Sequence, residues 1–183
     1  MSNIGNYLDL MEELIKQRNW LEMERRFYNL CKEYAGLAQT EKIKQIHLDE
    51  YERQLRVGLH KALHIAEQTS AKAIYFEYDL DHSWNSCFFI CNDYLPRDEH
   101  NDEWEYDDWA CDWSEEVKGP SLLDYANIYH EHGFDRTQTA VGSTLYLIAR
   151  TVMAFARVVE QLESNLPICI AFHDQDPIFR IKE

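Results

Sequence analysis

Over residues 7–68 the apolar positions recur in steps of three and four, the spacing of helices that bury one face. The pattern predicts a first helix from Tyr7 to Lys16, with Leu10, Met11 and Leu14 inward. It predicts a second from Trp20 to Tyr34, with Leu21, Phe27, Leu30 and Cys31 as its apolar face and Gly36 as its stop. A third, longer helix spans Thr40 to Gln68. Its stripe is Leu48, Tyr51, Leu55, Leu59, Ala62 and Ala66, and Thr40 stands at the N-cap. From Ala73 the period changes to two. Ile74, Phe76 and Tyr78 fall on one side, and Tyr75, Glu77 and Asp79 on the other. A second apolar run, Cys87 to Cys91, follows after the turn formers of residues 79–85, so the pair reads as a β-hairpin. Further helices are predicted from Ser121 to His132, closed by Gly133, and from Thr137 to Ser164. The inward set of the latter is Val141, Leu145, Ile148, Val152, Phe155, Val159 and Leu162. Extra apolar residues at Leu147, Met153 and Val158 mark it as the central helix, buried on several sides. Ile168–Phe172 and Ile178–Ile181, around Asp174-Gln175-Asp176-Pro177, read as a second hairpin. The expected fold is α+β in a single domain, residues 1–183. One antiparallel sheet of two hairpins is packed by the long helix of the C-terminal half (residues 70–183), beside a helical N-terminal region (residues 1–69).

The segment between the hairpins breaks the pattern. Asp93 to Glu116 carries eleven carboxylates and one arginine, Arg97, together with Trp104, Tyr106, Trp109 and Trp113. Charge runs are ordinarily solvated and tryptophans ordinarily buried, so the two together require one face for each. A helix supplies both faces. Asp102 with Glu105 resembles a capping box, and Lys118-Gly119-Pro120 is a stop. On it Tyr106, Trp109 and Trp113 form one row, and Glu105, Asp108, Asp112 and Glu115 another. Against it stands the placing of Asp112, Glu115 and Glu116 near a helix C-terminus, where negative charge is unfavourable.

Charge narrows the partners. The net charge is −15, which disfavours nucleic acid and anionic membranes, both polyanions, and favours a basic partner. Residues 1–6 have neither a basic nor an apolar leader pattern, and the apolar run Leu145–Val159 is interrupted by Arg150 and Arg157. The expectation is a cytoplasmic protein with no membrane contact, its five cysteines reduced and mostly buried. Cys87 and Cys91 share one strand face, read as facing the core.

Other constellations are incomplete. Asp79-x-Asp81-x-Ser83-x-Asn85 begins like a calcium loop, but Trp84 stands where the glycine belongs and Ile90 where the closing acid belongs. His60/His64 and His130/His132 have metal-pair spacings without further ligands in the same motif. No Gly-rich phosphate loop, Gly-x-Ser-x-Gly, His-Glu-x-x-His or Cys-x-x-Cys occurs. No cofactor is expected.

Three stretches carry a resemblance: Ala73-Ile-Tyr-Phe-Glu-Tyr-Asp-Leu-Asp81, Trp84-Asn-Ser-Cys-Phe-Phe-Ile-Cys91 and Asp102-Glu-Trp-Glu-Tyr-Asp-Asp-Trp109. They resemble immunity proteins of bacterial polymorphic and contact-dependent toxin systems, compact acidic proteins in which an aromatic strand often precedes an acid-and-tryptophan stretch. The resemblance implies non-catalytic, tight binding of one cognate protein toxin. Acidity points to a basic, nuclease-like toxin, whose groove the inhibitor would fill as a phosphate mimic. The expected partner-binding residues are Asp102, Trp104, Glu105, Asp107, Asp108, Asp112 and Glu115, with the carboxylates steering and the tryptophan anchoring. Two alternatives stay open: a metal-dependent or hydrolytic enzyme using the acidic cluster, and an adaptor or chaperone for a secreted protein.

Overall fold

A computed structural model describes residues 4–94 and 111–183, with residues 111–115 described by their backbone alone. The N-terminal region is four helices: α1 (Ile4–Lys16), α2 (Trp20–Ala35), α3 (Leu37–Lys44) and α4 (Asp49–Thr69). Local chemistry sets their ends. The Asn19 side chain accepts a bond from Glu22 N at 3.2 Å and so caps α2, and Gly36, at φ +85°, turns the chain into α3. The buried face of α2 is Met23, Phe27 and Cys31, in steps of four. Leu21, expected inward, lies two residues off that stripe and is 84% exposed.

The expected single helix from Thr40 to Gln68 is two. Thr40 is no cap. It is buried inside α3, and its hydroxyl bonds back to Gly36 O at 2.9 Å. The chain breaks over residues 45–48 and restarts on the acidic first turn Asp49, Glu50 and Glu52, which suits a helix N-terminus. Arg150 explains why the break persists. Its guanidinium donates to Ile43 O and, at 3.0 Å, to Ile46 O, taking up carbonyls at the end of α3 and in the break. The stripe from Leu48 to Ala66 is buried as expected.

The remaining elements are β1 (Ala73–Asp79), β2 (Asn85–Cys91), β3 (Cys111–Lys118), α5 (Leu123–His132), α6 (Gln138–Glu160), β4 (Ile168–Phe172) and β5 (Phe179–Lys182). The fold is α+β, and both expected hairpins are present. They do not form an antiparallel sheet throughout. β1 and β4 pair in parallel, from Ile74 opposite Ile168 to Tyr78 opposite Phe172, so the sheet is mixed, in the order β3-β2-β1-β4-β5. The expected helix over Asp102–Lys118 is overturned in its second half. Residues 111–118 are a strand, which satisfies the otherwise open edge of β2 and keeps Asp112, Glu115 and Glu116 away from a helix C-terminus. Phe89 lies opposite Glu116 and Ile90 opposite Asp112, so residues 113–115 bulge from the ladder. The first half of that expected helix, with Tyr106 and Trp109, lies outside the described residues.

Two faces of the sheet are distinct. Ile74, Phe76, Tyr78, Phe88 and Ile90 face the main core. Cys91, Cys169, Ala73 and Ala171 form a small second cluster, so Cys87 and Cys91 share a face as expected, but not that of the main core. On the main face lies α6, with eighteen of its twenty-three residues buried. Thr137 caps it by accepting from Ala140 N at 3.0 Å, and Phe155 stacks on Phe76 at 4.7 Å. Gly142 lets α2 approach from behind. A Cβ there would lie 2.8 Å from that of Tyr34. By length and composition α6 could cross a membrane, but 89% of its most apolar window is buried inside the protein, which makes it the core helix. Trp84, at φ +54°, is driven into the same core among Tyr78, Tyr125 and Tyr129, with its indole N–H on Thr151 Oγ1 at 3.2 Å. Burying a tryptophan offsets the local backbone strain.

Replacing Arg150 with Met should cost about 1–3 kcal/mol in denaturant unfolding, because two partly buried carbonyls lose a charged donor. Arg150→Lys should recover only part. Unchanged stability in Arg150→Met would show that the guanidinium does not hold the break.

Candidate functional site

Parallel pairing makes β1 and β4 end side by side. His173 N donates to Tyr78 O at 2.9 Å, extending the pair by one residue, and both chains then turn away. A cleft of about 730 Å³ opens between the two turns. Its other walls are the N-terminal turn of α1, Tyr129 on α5, and Phe134 and Asp135 on the link between α5 and α6. The floor is apolar, with Leu8, Leu80, Tyr129, Phe134 and Phe172. The rings of Phe134 and Phe172 meet edge to face at 5.9 Å.

The rim is acidic. Asp79, Asp81, Asp135, Asp174 and Asp176 line the opening, and among the described residues no lysine or arginine does. Each turn is held by its own side chains. Asp79 Oδ1 accepts from Asp81 N at 2.9 Å and from His82 N at 3.1 Å, and its Oδ2 meets His82 Nδ1 at 2.7 Å. Asp79 is thus engaged in its own turn, an Asx turn rather than the start of a calcium loop. In the other turn Gln175 is buried. It accepts from Phe172 N at 3.2 Å and donates to Pro177 O at 2.6 Å, which presents Asp174 and Asp176 outward.

Two titrating groups register the negative field. Burial, followed by the Asp81 and Asp79 carboxylates, pushes the Tyr129 hydroxyl up to about 12 against the pull of Arg136. For His173, partial burial lowers the pKa. Glu77 at 3.2 Å, with Asp174 and Asp79, outweighs it, and the net shift is upward from 6.5. Asp79 moves the other way: its desolvation is outweighed by the His82 side chain and the two amide bonds, and its pKa falls below 3.8.

None of the residues expected to bind a partner is among the described residues that line this cleft. Asp102, Trp104, Glu105, Asp107 and Asp108 lie outside the described residues. Asp112 and Glu115 lie on β3. β2 ends at Cys91 opposite Cys111, where β3 begins, and this is the end of the sheet away from Asp79. The Cys91–Cys111 pair thus stands at the end of the sheet opposite the cleft. Among the described residues, no three of His, Cys, Asp and Glu are grouped to hold a metal ion, and neither His60/His64 nor His130/His132 acquires a further ligand. His64 meets Gln68 at 3.1 Å instead. Among the described residues, the cleft lining has no serine, threonine or cysteine to act as a nucleophile. What the arrangement can do is hold a cation whose stem is apolar. Comparison with protein-family models, curated proteins and solved structures finds no match to this chain.

The carboxylates around His173 set a test. An NMR titration should place its midpoint above 6.5, and Glu77→Gln should move it down. Because the folded pKa is raised, this ion pair stabilises the fold fully below the unfolded value near 6.5. The contribution is lost as pH rises through the folded value. A midpoint below 6.5 would mean that desolvation outweighs the carboxylates.

Proposed function

We propose that this chain is a non-catalytic immunity protein that binds and inhibits a basic, nuclease-like bacterial toxin in the producer's cytoplasm. The observation that carries the reading is the acidic cleft: five aspartates around an aromatic floor, with no lysine or arginine among the described lining residues. It stands on a chain of net charge −15, and such a field speeds the capture of a basic protein. The aromatic floor supports binding as well, since affinity needs buried anchors and not steering alone. The stretch around Asp102, Trp104, Glu105, Asp107 and Asp108, with Asp112 and Glu115, is a second acidic surface in the same proposal. Inhibition follows by occupying the groove that the toxin uses for a polyanionic substrate.

The reading predicts a gene for a basic, toxin-like protein beside this one, and co-expression with that product tests it. Growth should be restored, and the two proteins should purify as a complex whose affinity falls at least about tenfold from low to high salt. Failure to rescue growth, with no complex even at low salt, would overturn it.

A further inference from the structure

We infer that the cleft between the β1 and β4 ends is a receptor for an arginine side chain of the partner. The inference rests on the reading above for the partner being a basic protein, but the chemistry of the site stands on its own. The cavity, about 730 Å³, lies within the usual range of ligand sites. Its two parts demand different things of an occupant. The floor offers the rings of Tyr129, Phe134 and Phe172, which reward a flat or apolar group. The rim offers carboxylates on three separate turns, and a purely apolar occupant would strip water from them without compensation. Anions are repelled. A bare metal ion finds no grouped ligand set among the described residues. A cation with a long apolar stem satisfies floor and rim together.

Arginine fits better than lysine. Its guanidinium is planar and weakly hydrated, stacks on aromatic faces and bonds a carboxylate with two parallel N–H donors. Lysine has a compact, strongly hydrated head that gains less from the rings. Among the described residues, no lysine or arginine lines this position. Among the described residues lining the cleft the only imidazole is His173, which lies against Glu77 and Asp174. Arg136 is outside the lining, beside Gly133.

The probes are three capped tripeptides, acetyl-Gly-Arg-Gly-amide and its Lys and Glu counterparts, titrated into the full-length protein and followed by NMR at low salt. The comparison variant is the double substitution Asp135→Asn with Asp174→Asn. Both side chains are exposed, and Asp174 has φ +64°, a conformation that asparagine tolerates well, so the fold is kept. The arginine probe should give saturable shifts at Leu80, Tyr129, Phe134 and Phe172. It should bind several-fold more tightly than the lysine probe, and the glutamate probe should not bind. The variant should weaken the arginine probe about fivefold, the scale of partly exposed ion pairs. Shifts spread over the acidic surface, equal for Arg and Lys and unchanged in the variant, would overturn the inference. The probes contain no toxin. Loss of the cleft's specificity with intact growth rescue would refute the arginine receptor alone, whereas failed rescue with intact probe binding would refute the immunity reading alone.

Discussion

β1 and β4 lie side by side and run the same way, and most of the molecule follows from that pairing. Parallel neighbours cannot be joined by a tight turn, so the chain must leave the sheet and cross back. After adding β2 and β3 to the same sheet it leaves through α5 and α6, and the crossover brings the apolar α6 onto the central strands. β1 is thereby flanked on both sides and supplies Ile74, Phe76 and Tyr78 to the main core. The same pairing aligns two strand ends that would lie apart in separate hairpins. Asp79 and His173 become neighbours although 94 positions separate them in the chain (173 − 79). Every wall of the cleft is positioned by that alignment, directly or through the helices that pack against it.

The turns gather negative charge where folding alone would spread it. Carboxylates that crowd one opening repel one another, and this costs stability. The fold meets part of the cost locally. Asp79 is held by two amides and His82, and Glu77 by His173. Asp135 and Asp174 remain exposed at the surface. A less visible cost lies inside, where the hydroxyls of Tyr51, Tyr78 and Tyr125 are buried without a hydrogen-bond partner among the described residues. The wide apolar contact of α6 with the sheet and with α2 is the source of stability that offsets both.

Much of the fold was legible because its signals are local. The helical stripe from Leu48 to Ala66, the alternation of Ile74, Phe76 and Tyr78, and the density of apolar residues on α6 all report burial directly. The α3–α4 break was hidden because its cause is Arg150, more than a hundred positions away. Its only local trace is the acidic start Asp49, Glu50 and Glu52. β3 was misread because the same spacing of acids and tryptophans fits a two-faced helix, whereas the deciding factor is the open edge of β2. The cleft was missed for a related reason. Asp79, Asp81, Asp135, Asp174 and Asp176 read as unrelated turn residues until the parallel pair brings their turns together. Composition drew attention to residues 93–116, where acids are adjacent in sequence, and not to acids adjacent in space.

The central claim is that the protein meets its partner at the end of the sheet where β1 and β4 stop. Hydrogen–deuterium exchange of the purified complex against the free protein tests it most directly. Binding at the cleft predicts slowed exchange in three separate stretches, residues 79–84, 129–136 and 172–177, at the same partner concentration. Slowing confined to residues 92–118, with those three stretches unchanged, would place recognition away from the cleft and contradict the account.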